Sequence, residues 1–389
     1  MSKKTLVISE IFPPRHGGSG RWFYELYRRL PRDIYTIIAG SANRDKEFDD
    51  ANINALRIQR LDLYSPSWGI RSITGLRFYW RTFRALSKII REQRIEALHC
   101  GRCLPEGFIG WLLHLRHGIP YLCFVHGEDI QTAMESRELS FLIHRVFRSS
   151  AVLICNSENT ASILTREWSV NRGQLRVLHP GMDGERFVPA PPDGDFQRSQ
   201  GWQDRRVALT VGRLQKRKGH DMLIKALALL TPTHPDLLYA IIGDGDERRA
   251  LEKLVQEYGL EEHVQFLGEV DDNQLVAYYQ QCTLFALPNR ADGNDIEGFG
   301  MVLAEAQACG RPVLAGDSGG TRETLLDGVT GVVCDCTAPE PLAAALQNLL
   351  GDPQCLLSMG QKARAHVLDK LDWQAHTLRA SELFAEAGT

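Results

Sequence analysis

The chain reads as an α/β protein built from two successive doubly wound parallel-sheet domains. Three observations point there. Short β-rich runs alternate with helical patterns throughout, the pattern restarts after a Pro- and Asp-rich stretch beyond Phe187, and 389 residues suit two cores better than one.

In the first half, strands are expected at Thr5–Ser9, Tyr35–Ala39, Ala55–Arg60, Ala97–His99, Tyr121–Val125, Val152–Cys155 and Leu175–Leu178. The last of these runs into the turn His179-Pro-Gly181. Phe187-Val-Pro-Ala-Pro-Pro-Asp-Gly-Asp195 has little to bury and reads as a linker, so the domains are expected at 1–187 and 201–371 with 188–200 between them. In the second half, strands are expected at Val207–Val211, Leu238–Ile242, Val264–Leu267, Thr283–Leu287, Pro312–Ala315 and Gly331–Cys334. Helices such as Asp221–Leu230, Asp246–Glu257, Asp272–Gln281 and Met301–Cys309 fall between them. The closing segment, about 372–389, is amphipathic and could pack on either domain.

Composition excludes several classes. Hydrophobic residues make up 43% and charged residues 24%, the balance of a globular chain. No apolar run approaches the roughly 20 residues of a membrane span, and Leu6-Val7-Ile8 is too short for a secretory leader. A cytoplasmic protein, peripheral at most to the inner face of a membrane, is expected. The nine cysteines are scattered, which argues against a disulfide framework. Cys100-Gly-Arg-Cys103 and Cys334-Asp-Cys336 lack a second nearby ligand pair, so neither is read as a metal or redox site.

Net charge is −3, but residues 1–187 hold 27 Lys and Arg against 19 Asp and Glu, and the remainder 18 against 29. The densest basic stretch, Arg71 to Arg94, interleaves Arg77, Arg81, Arg84, Lys88 and Arg91 with Ile73, Leu76, Phe78, Trp80, Phe83 and Leu86. On a helix this composition suits an anionic lipid surface, and equally an ordinary amphipathic helix with solvated arginines. No nucleic-acid partner is expected.

The most specific motif is Glu297-Gly-Phe-Gly-Met-Val-Leu-Ala-Glu305. A Gly-rich turn opens a helix whose first free N–H groups sit near Phe299, Gly300 and Met301, a ready anion site. Glu297 precedes that start and Glu305 lies about one turn in, so one carboxylate can reach a sugar and the other a ribose, with a diphosphate between. Next, Val211-Gly-Arg-Leu-Gln-Lys-Arg-Lys-Gly219 follows a strand, so Arg213 and Lys218 can project beyond its carboxyl end, where ligands bind in open sheets. Phe12-Pro-Pro-Arg-His-Gly-Gly-Ser-Gly20 allows close backbone approach to phosphate but is a common turn. His126 ends a strand before Gly127, a good place for a ligand contact. Asp244-Gly-Asp246 has the spacing of a metal-binding Asp-x-Asp, yet between strand and helix it reads as a tight turn with Asp246 as N-cap. No catalytic metal and no cofactor are expected.

Together these motifs resemble the retaining glycosyltransferases of family 4, which have the GT-B fold: two Rossmann-like domains facing each other across a cleft. The match runs from Gly17 and Gly18 through His126, Asn156-Ser157, Gly212-Arg213 with Lys218, and Gly243-Asp-Gly. It continues through Glu297 and Glu305 to Gly316-Asp-Ser-Gly-Gly320 with Glu323. The resemblance implies that Arg213 and Lys218 hold the donor diphosphate with backbone N–H groups of Phe299–Met301. It assigns donor-sugar hydroxyls to Glu297, the ribose to Glu305, the 6-position of the sugar to His126, and a phosphate approach to Gly18 as the cleft closes. Gly17, Gly212, Gly243, Asp244, Leu267, Gly268 and Gly300 complete the expected donor set; the resemblance makes 1–187 the acceptor-binding domain and 201–371 the sugar-nucleotide-binding domain, and the stretch after Asp372 should cross back to the first. His126, Arg213, Lys218 and Glu297 are the catalytic candidates. The loop Asn289-Arg-Ala-Asp-Gly-Asn-Asp295 is longer than the family pattern, so the sugar is not carried over.

The expected reaction moves a hexose from a nucleotide diphosphate sugar to a hydroxyl of a saccharide or lipid-linked acceptor, as in cell-surface polysaccharide or glycolipid synthesis. A UDP-sugar is the first choice of donor and GDP-mannose the second. A sugar-nucleotide 2-epimerase would share the architecture, but beyond His126 no acid/base set is evident. A non-catalytic sugar-nucleotide-binding scaffold would need a damaged site, and a nicotinamide dehydrogenase would need the G-x-G-x-x-G that the first loop lacks.

Overall fold

The computed structural model of the chain describes residues 3–15, 17–51 and 56–389, with Glu128 and Asp129 represented by their backbone alone. Met1, Ser2, His16 of the first Gly-rich motif and Ala55 of an expected strand lie outside the described residues. The chain divides into two compact units, Met1–Gly181 with Trp373–Thr389, and Met182–Asp372.

The first unit carries β1 (Thr5–Ser9), β2 (Tyr35–Gly40), β3 (Arg57–Leu61), β4 (Ala97–Cys100), β5 (Tyr121–Val125), β6 (Val152–Cys155) and β7 (Leu175–Val177). They form one parallel sheet in the order β3-β2-β1-β4-β5-β6-β7, with Thr5 in register with Tyr35 on one side and Ala97 on the other. Helices cover both faces, so β1 and β5 are buried along their whole length and read as unbroken apolar runs rather than alternating ones. The strand order reverses between β1 and β4, and the loops that follow these two strands diverge there.

The closing helix, Trp373–Glu386, belongs to this first unit. Its Ala380, Leu383 and Phe384 join the core of Phe23, Tyr27 and Phe124. Trp22 Nε1 donates to His376 Nε2 at 3.0 Å, and the Phe384 and His99 rings lie 4.4 Å apart. Burial of Phe384 alone contributes roughly 1.5–3 kcal/mol. Burial also pushes both His99 and His376 down to about 3, so they sit in this core as neutral rings.

The basic segment forms one 21-residue helix, Ile73–Gln93, capped by the Ser72 hydroxyl, which accepts from the Gly75 N–H at 2.9 Å. Its apolar residues divide. Phe78, Tyr79, Leu86 and Ile90 face the core, whereas Ile73, Leu76 and Trp80 are 69%, 58% and 60% exposed. With Arg77 and Arg84 these three form one outward stripe at spacings of three and four. No helix among the described residues is long and apolar enough to cross a membrane.

The second unit carries β8 (Arg206–Val211), β9 (Leu237–Ile242), β10 (Val264–Gly268), β11 (Leu284–Leu287), β12 (Val313–Gly316) and β13 (Gly331–Cys334), parallel in the order β10-β9-β8-β11-β12-β13. Here the order reverses between β8 and β11. Two apolar clusters flank the sheet, one around Leu209, Phe285 and Leu303, the other around Tyr239, Ile241 and Leu346.

The stretch 188–200, expected as a linker, is part of this second unit. Gln280 and Gln281 side-chain amides donate to the Val188 and Pro191 carbonyls at 2.8 and 3.0 Å, and Asp193 caps a short helix, Gly194–Gln200. Phe196 of that helix packs edge-on to Trp202 and Tyr278. Hydrogen bonds to side chains distant in sequence replace the missing apolar residues, which no local reading detects. The helix expected from Asp246 is also corrected: it spans Arg248–Glu257 with Glu247 at its N-cap position, and no side chain caps it.

Candidate functional site

In the second unit the reversal of strand order places the loop after β8 beside the loop after β11, and the most specific motifs meet there. Gly212 leaves β8 with its N–H on the Ile242 carbonyl at 2.9 Å, and a Cβ on Gly243 would stand 2.1 Å from the Gly212 carbonyl oxygen. The Gly212 and Gly243 backbones are therefore packed against each other, and only glycine fits at 243 (φ 129°). The chain then turns through Lys216–Lys218 into the helix His220–Leu230.

Lys218 Nζ donates to Glu297 Oε2 at 2.6 Å, and Arg217 Nη1 donates to the same oxygen at 2.5 Å. Lys218 and Glu297 are only 8% and 9% exposed. Burial pushes the Glu297 carboxyl up, but Lys218 and Arg217 outweigh it and hold the group down at about 2, an ionised carboxylate. Burial also lowers the Lys218 ammonium, an effect the Glu297 charge opposes. The neighbouring His220, buried and close to Lys218, is pushed down to about 4, and its Nδ1 pairs with the Tyr239 hydroxyl at 2.8 Å.

Arg217 was not among the residues singled out in the sequence, although it stands in the same basic run. It also lies 3.0 Å from Asp295, while Lys216 lies 3.5 Å from Asp292 and Arg290 forms a two-armed pair with Asp221 at 2.8 and 2.9 Å. The long loop 289–295 is thus tied at three points to the segment that follows β8.

Glu297 is held from the other side by the backbone. Its carbonyl accepts the Gly320 N–H at 2.9 Å, and a Cβ on Gly319 (φ 66°) would lie 1.9 Å from that carbonyl oxygen. Gly300, at φ 86°, starts the helix Met301–Ala308, which has no side-chain cap and no acidic residue in its first turn. Such an uncapped start leaves N–H donors to a ligand. Phe299 is buried at the base of that turn, and Glu305, one turn along, is buried and accepts the Tyr279 hydroxyl at 2.9 Å. Arg213 is exposed and has no ion-pair partner among the described residues. Asp244 and Asp246 are also exposed; Asp244 accepts the Gly245 N–H at 2.8 Å, the tight turn expected there. Leu267 and Gly268 close β10, and the Gly268 carbonyl accepts the Gly243 N–H at 2.8 Å.

In the first unit Gly17 and Gly18 are exposed at the start of the helix Gly18–Tyr27. His126 follows β5, half-buried against Trp22 and Phe23, and its Nε2–H donates to the Gly101 carbonyl at 2.8 Å. Asn156 donates to the His126 carbonyl at 3.3 Å, and Ser157 caps the helix Glu158–Glu167, so this pair is structural. Among the described residues no group of three or more His, Cys, Asp or Glu side chains converges as a metal site. None of the nine cysteines is in a disulfide; the Cys334 and Cys336 sulfurs lie 3.4 Å apart.

Comparison with known proteins extends this geometry. The family model described as Glycosyltransferase Family 4 matches residues 16–186, and Glycosyl transferases group 1 matches 193–366. The chain is 32% identical to the GDP-mannose-dependent alpha-(1-6)-phosphatidylinositol monomannoside mannosyltransferase of Mycolicibacterium smegmatis, over 98% of each chain. It is 28% identical to the GDP-mannose-dependent monoacylated alpha-(1-6)-phosphatidylinositol monomannoside mannosyltransferase of Corynebacterium glutamicum, over 96% of this chain and 95% of the other. Among solved structures, Anabaena HepE with bound UDP superimposes with a TM-score of 0.82 at 19% identity, covering 98% and 99% of the two chains. Sucrose-phosphate synthase from Thermosynechococcus elongatus gives 0.83 at 24% identity, covering 99% of each. With both units matched and relatives aligned nearly end to end, the chain belongs to glycosyltransferase family 4, GT-B enzymes that move a sugar from a nucleotide donor to an acceptor.

Proposed function

We propose that the chain transfers mannose from GDP-mannose, with retention and without a metal, to a hydroxyl of a lipid-linked polyol or saccharide at an anionic membrane surface. The observation that carries it is the buried Lys218–Glu297 pair where strand order reverses, in a chain so similar to GDP-mannose-dependent enzymes along its whole length. That similarity favours GDP-mannose over the UDP-sugar expected from sequence. The neighbours solved with UDP are too distant in sequence to speak for the donor.

In the proposed transfer, the bond between the anomeric carbon and the diphosphate oxygen breaks, and its electron pair leaves on GDP. The acceptor oxygen bonds to the same face of that carbon, and its proton passes to a diphosphate oxygen. Arg213, Lys218 and the N–H groups after Phe299 oppose the charge developing on the leaving group. Glu297, kept ionised, accepts hydrogen bonds from donor-sugar hydroxyls, and Arg217 positions it. Glu305 takes the ribose, and His126 and Gly18 serve as further donor contacts. The outward stripe of Ile73, Leu76 and Trp80 with Arg77 and Arg84 supplies apolar and cationic contacts to lipid.

Calorimetric binding of GDP, UDP and ADP to the wild type and to Glu305→Ala tests the donor. GDP should bind most tightly and lose affinity in the variant. Incubation with GDP-mannose and mixed lipid acceptors should give a mannosylated lipid with the α configuration by NMR, unchanged by EDTA. Preference for UDP, an inverted product or an EDTA-sensitive reaction would each sink that part of the reading. Conversion of GDP-mannose without acceptor into another sugar nucleotide would mark an epimerase instead.

A further inference from the structure

Cys334 closes β13, and Cys336 follows two residues on, so both side chains leave the chain on the same side. Their sulfurs stand 3.4 Å apart, against about 2.0 Å in a disulfide bond. The turn that carries them is already set. The Asp335 carboxylate accepts the Thr337 N–H at 2.8 Å and the Thr337 hydroxyl at 2.6 Å. A metal site would call for further ligands, but a disulfide needs only these two sulfurs.

Access distinguishes this pair from the other cysteines. Cys103 and Cys123 also bring their sulfurs near each other, at 3.9 Å, but both side chains are fully buried. Cys334 is half-buried and reaches solvent, whereas Cys336 is 2% exposed and packed in the core with Leu342 and Leu346. The Cys334 sulfur beside it and then burial push the Cys336 thiol up, and the Arg290 guanidinium opposes them only in part. Cys336 thus keeps its proton, and Cys334 is the sulfur that an incoming reagent meets.

The same strand end carries the turn that braces Glu297. Cys334 is in register with Gly316, and its carbonyl accepts the Asp317 N–H at 3.0 Å. Asn289 holds the turn beyond, its amide oxygen accepting the Gly316 N–H at 3.2 Å and its amide nitrogen donating to the Ser318 carbonyl at 2.9 Å. Gly320 then donates to the Glu297 carbonyl at 2.9 Å. Because Cys336 is fixed in the core, shortening the sulfur separation must shift Cys334 at the strand end, and with it the Asp317 contact.

We propose that Cys334 and Cys336 form a thiol–disulfide site, oxidised reversibly by low-molecular-weight disulfides, and that closing the bond loosens the 316–320 turn and slows transfer. The Cys334 thiolate, its proton released to water, attacks one sulfur of the small disulfide, whose S–S bond breaks and expels a thiolate. The Cys336 thiol gives its proton to that thiolate, attacks the Cys334 sulfur and expels the second small thiolate, which takes a proton back from water. Two protein thiols are thereby oxidised by two electrons, and one small disulfide is reduced to two thiols. The site itself stands apart from the transfer reading; only its effect on turnover rests on that reading.

The test uses the full-length protein carrying Cys355→Ser, which removes an exposed cysteine on the helix Pro353–Leu371. Oxidised glutathione should give a Cys334–Cys336 bridge on peptide mapping, reversed by dithiothreitol. In Cys336→Ala, Cys334 should instead carry glutathione, and in Cys334→Ser, Cys336 should stay a free thiol. Hydrogen exchange in the peptide spanning 316–320 should quicken when the bridge forms and slow again on reduction. Turnover of GDP-mannose should fall about tenfold as Glu297 loses its brace, and Cys334→Ser should keep its turnover under the same oxidant. Failure to form the bridge, a bridge that leaves the exchange or the turnover of an active enzyme unchanged, or an equal loss in Cys334→Ser would overturn the proposal. Absence of transfer by the reduced protein would overturn the transfer reading instead, and the mapping and exchange would still decide this site. If Cys336→Ala does not fold, Cys334→Ser carries the comparison.

Discussion

Lys218 Nζ lies 2.6 Å from Glu297 Oε2, although 79 residues separate the two in sequence. The contact exists because β8 and β11 are neighbours, so the loops leaving them share one corner of the sheet. The arrangement brings together a lysine from a basic run and the first carboxylate of the Glu297–Glu305 motif, buries both, and leaves Arg213 exposed beside them.

That contrast separates two substitutions. Lys218→Ala removes one partner of a buried pair and should cost about 3 kcal/mol of stability. It should also slow transfer on the order of 100-fold through loss of a charge at the leaving group. Arg213→Ala should slow transfer by a similar factor and leave the melting temperature close to wild type, because the side chain is exposed and unpaired. Transfer assays and thermal melts on both variants check this. Near-wild-type turnover in both would remove the two cations from the proposed site.

The Glu297 pair also makes a pH prediction. The folded carboxyl is held at about 2 against an ordinary 4.5, so its stabilising contribution is complete above pH 4.5 and lost as pH falls toward 2. Across that window the contribution amounts to about 3 kcal/mol. Glu297→Gln has no such titration. The stability gap between wild type and this variant, measured by denaturant unfolding, should therefore be widest at pH 6 and narrow steadily below pH 4.5. A gap independent of pH would mean that Glu297 is not held by cations in the folded protein.

Much of the molecule was legible in its sequence, for reasons that differ by element. The strands were, because parallel strands covered on both faces show as short apolar runs, and β1, β5, β6 and β13 fall at the expected residues. The stretch 188–200 was not, because Gln280 and Gln281 hold it through hydrogen bonds that leave no periodic trace. Arg217 was hidden among four cations in six residues, 213–218 being Arg-Leu-Gln-Lys-Arg-Lys, and only the turn decides which of them faces Glu297. The ion pairs of Arg102 with Glu10 and Glu106 were equally silent. Glu10 and Arg102 follow strands far apart in sequence, and nothing local pairs them.

Two glycines, of which only Gly319 touches Glu297, offer a controlled comparison. Gly319 and Gly259 have similar left-handed backbones, φ 66° and 63°. A Cβ on Gly259 meets nothing within 4 Å, whereas one on Gly319 would strike the Glu297 carbonyl oxygen at 1.9 Å. Gly259→Ala should cost about 1 kcal/mol, the conformational term alone. Gly319→Ala must in addition displace the backbone of Glu297, so it should cost roughly 3 kcal/mol or more and reduce transfer as well. Equal melting temperatures for the two variants would show that the Gly316–Gly320 turn does not brace Glu297.

The outward face of the helix Ile73–Gln93 yields a graded prediction for lipid binding. Arg81 lies 2.9 Å from Asp62, so its charge is already answered, whereas Arg84 lies over the Trp80 ring, 4.7 Å from its centroid, and Arg77 is exposed on the same stripe. A basic residue near an anionic surface contributes about 1 kcal/mol. Replacing Arg77 and Arg84 together with Gln should therefore weaken binding to phosphatidylserine-containing vesicles about 30-fold, and Arg81→Gln should change it little. Trp80→Ala should weaken binding as well, through loss of apolar area rather than charge, and so should its effect persist at high salt, where the arginine effects are screened. Vesicle co-sedimentation at low and high salt measures all three. Equal losses for Arg81 and Arg84, or no binding to anionic vesicles at low salt, would leave this helix as an ordinary solvated face.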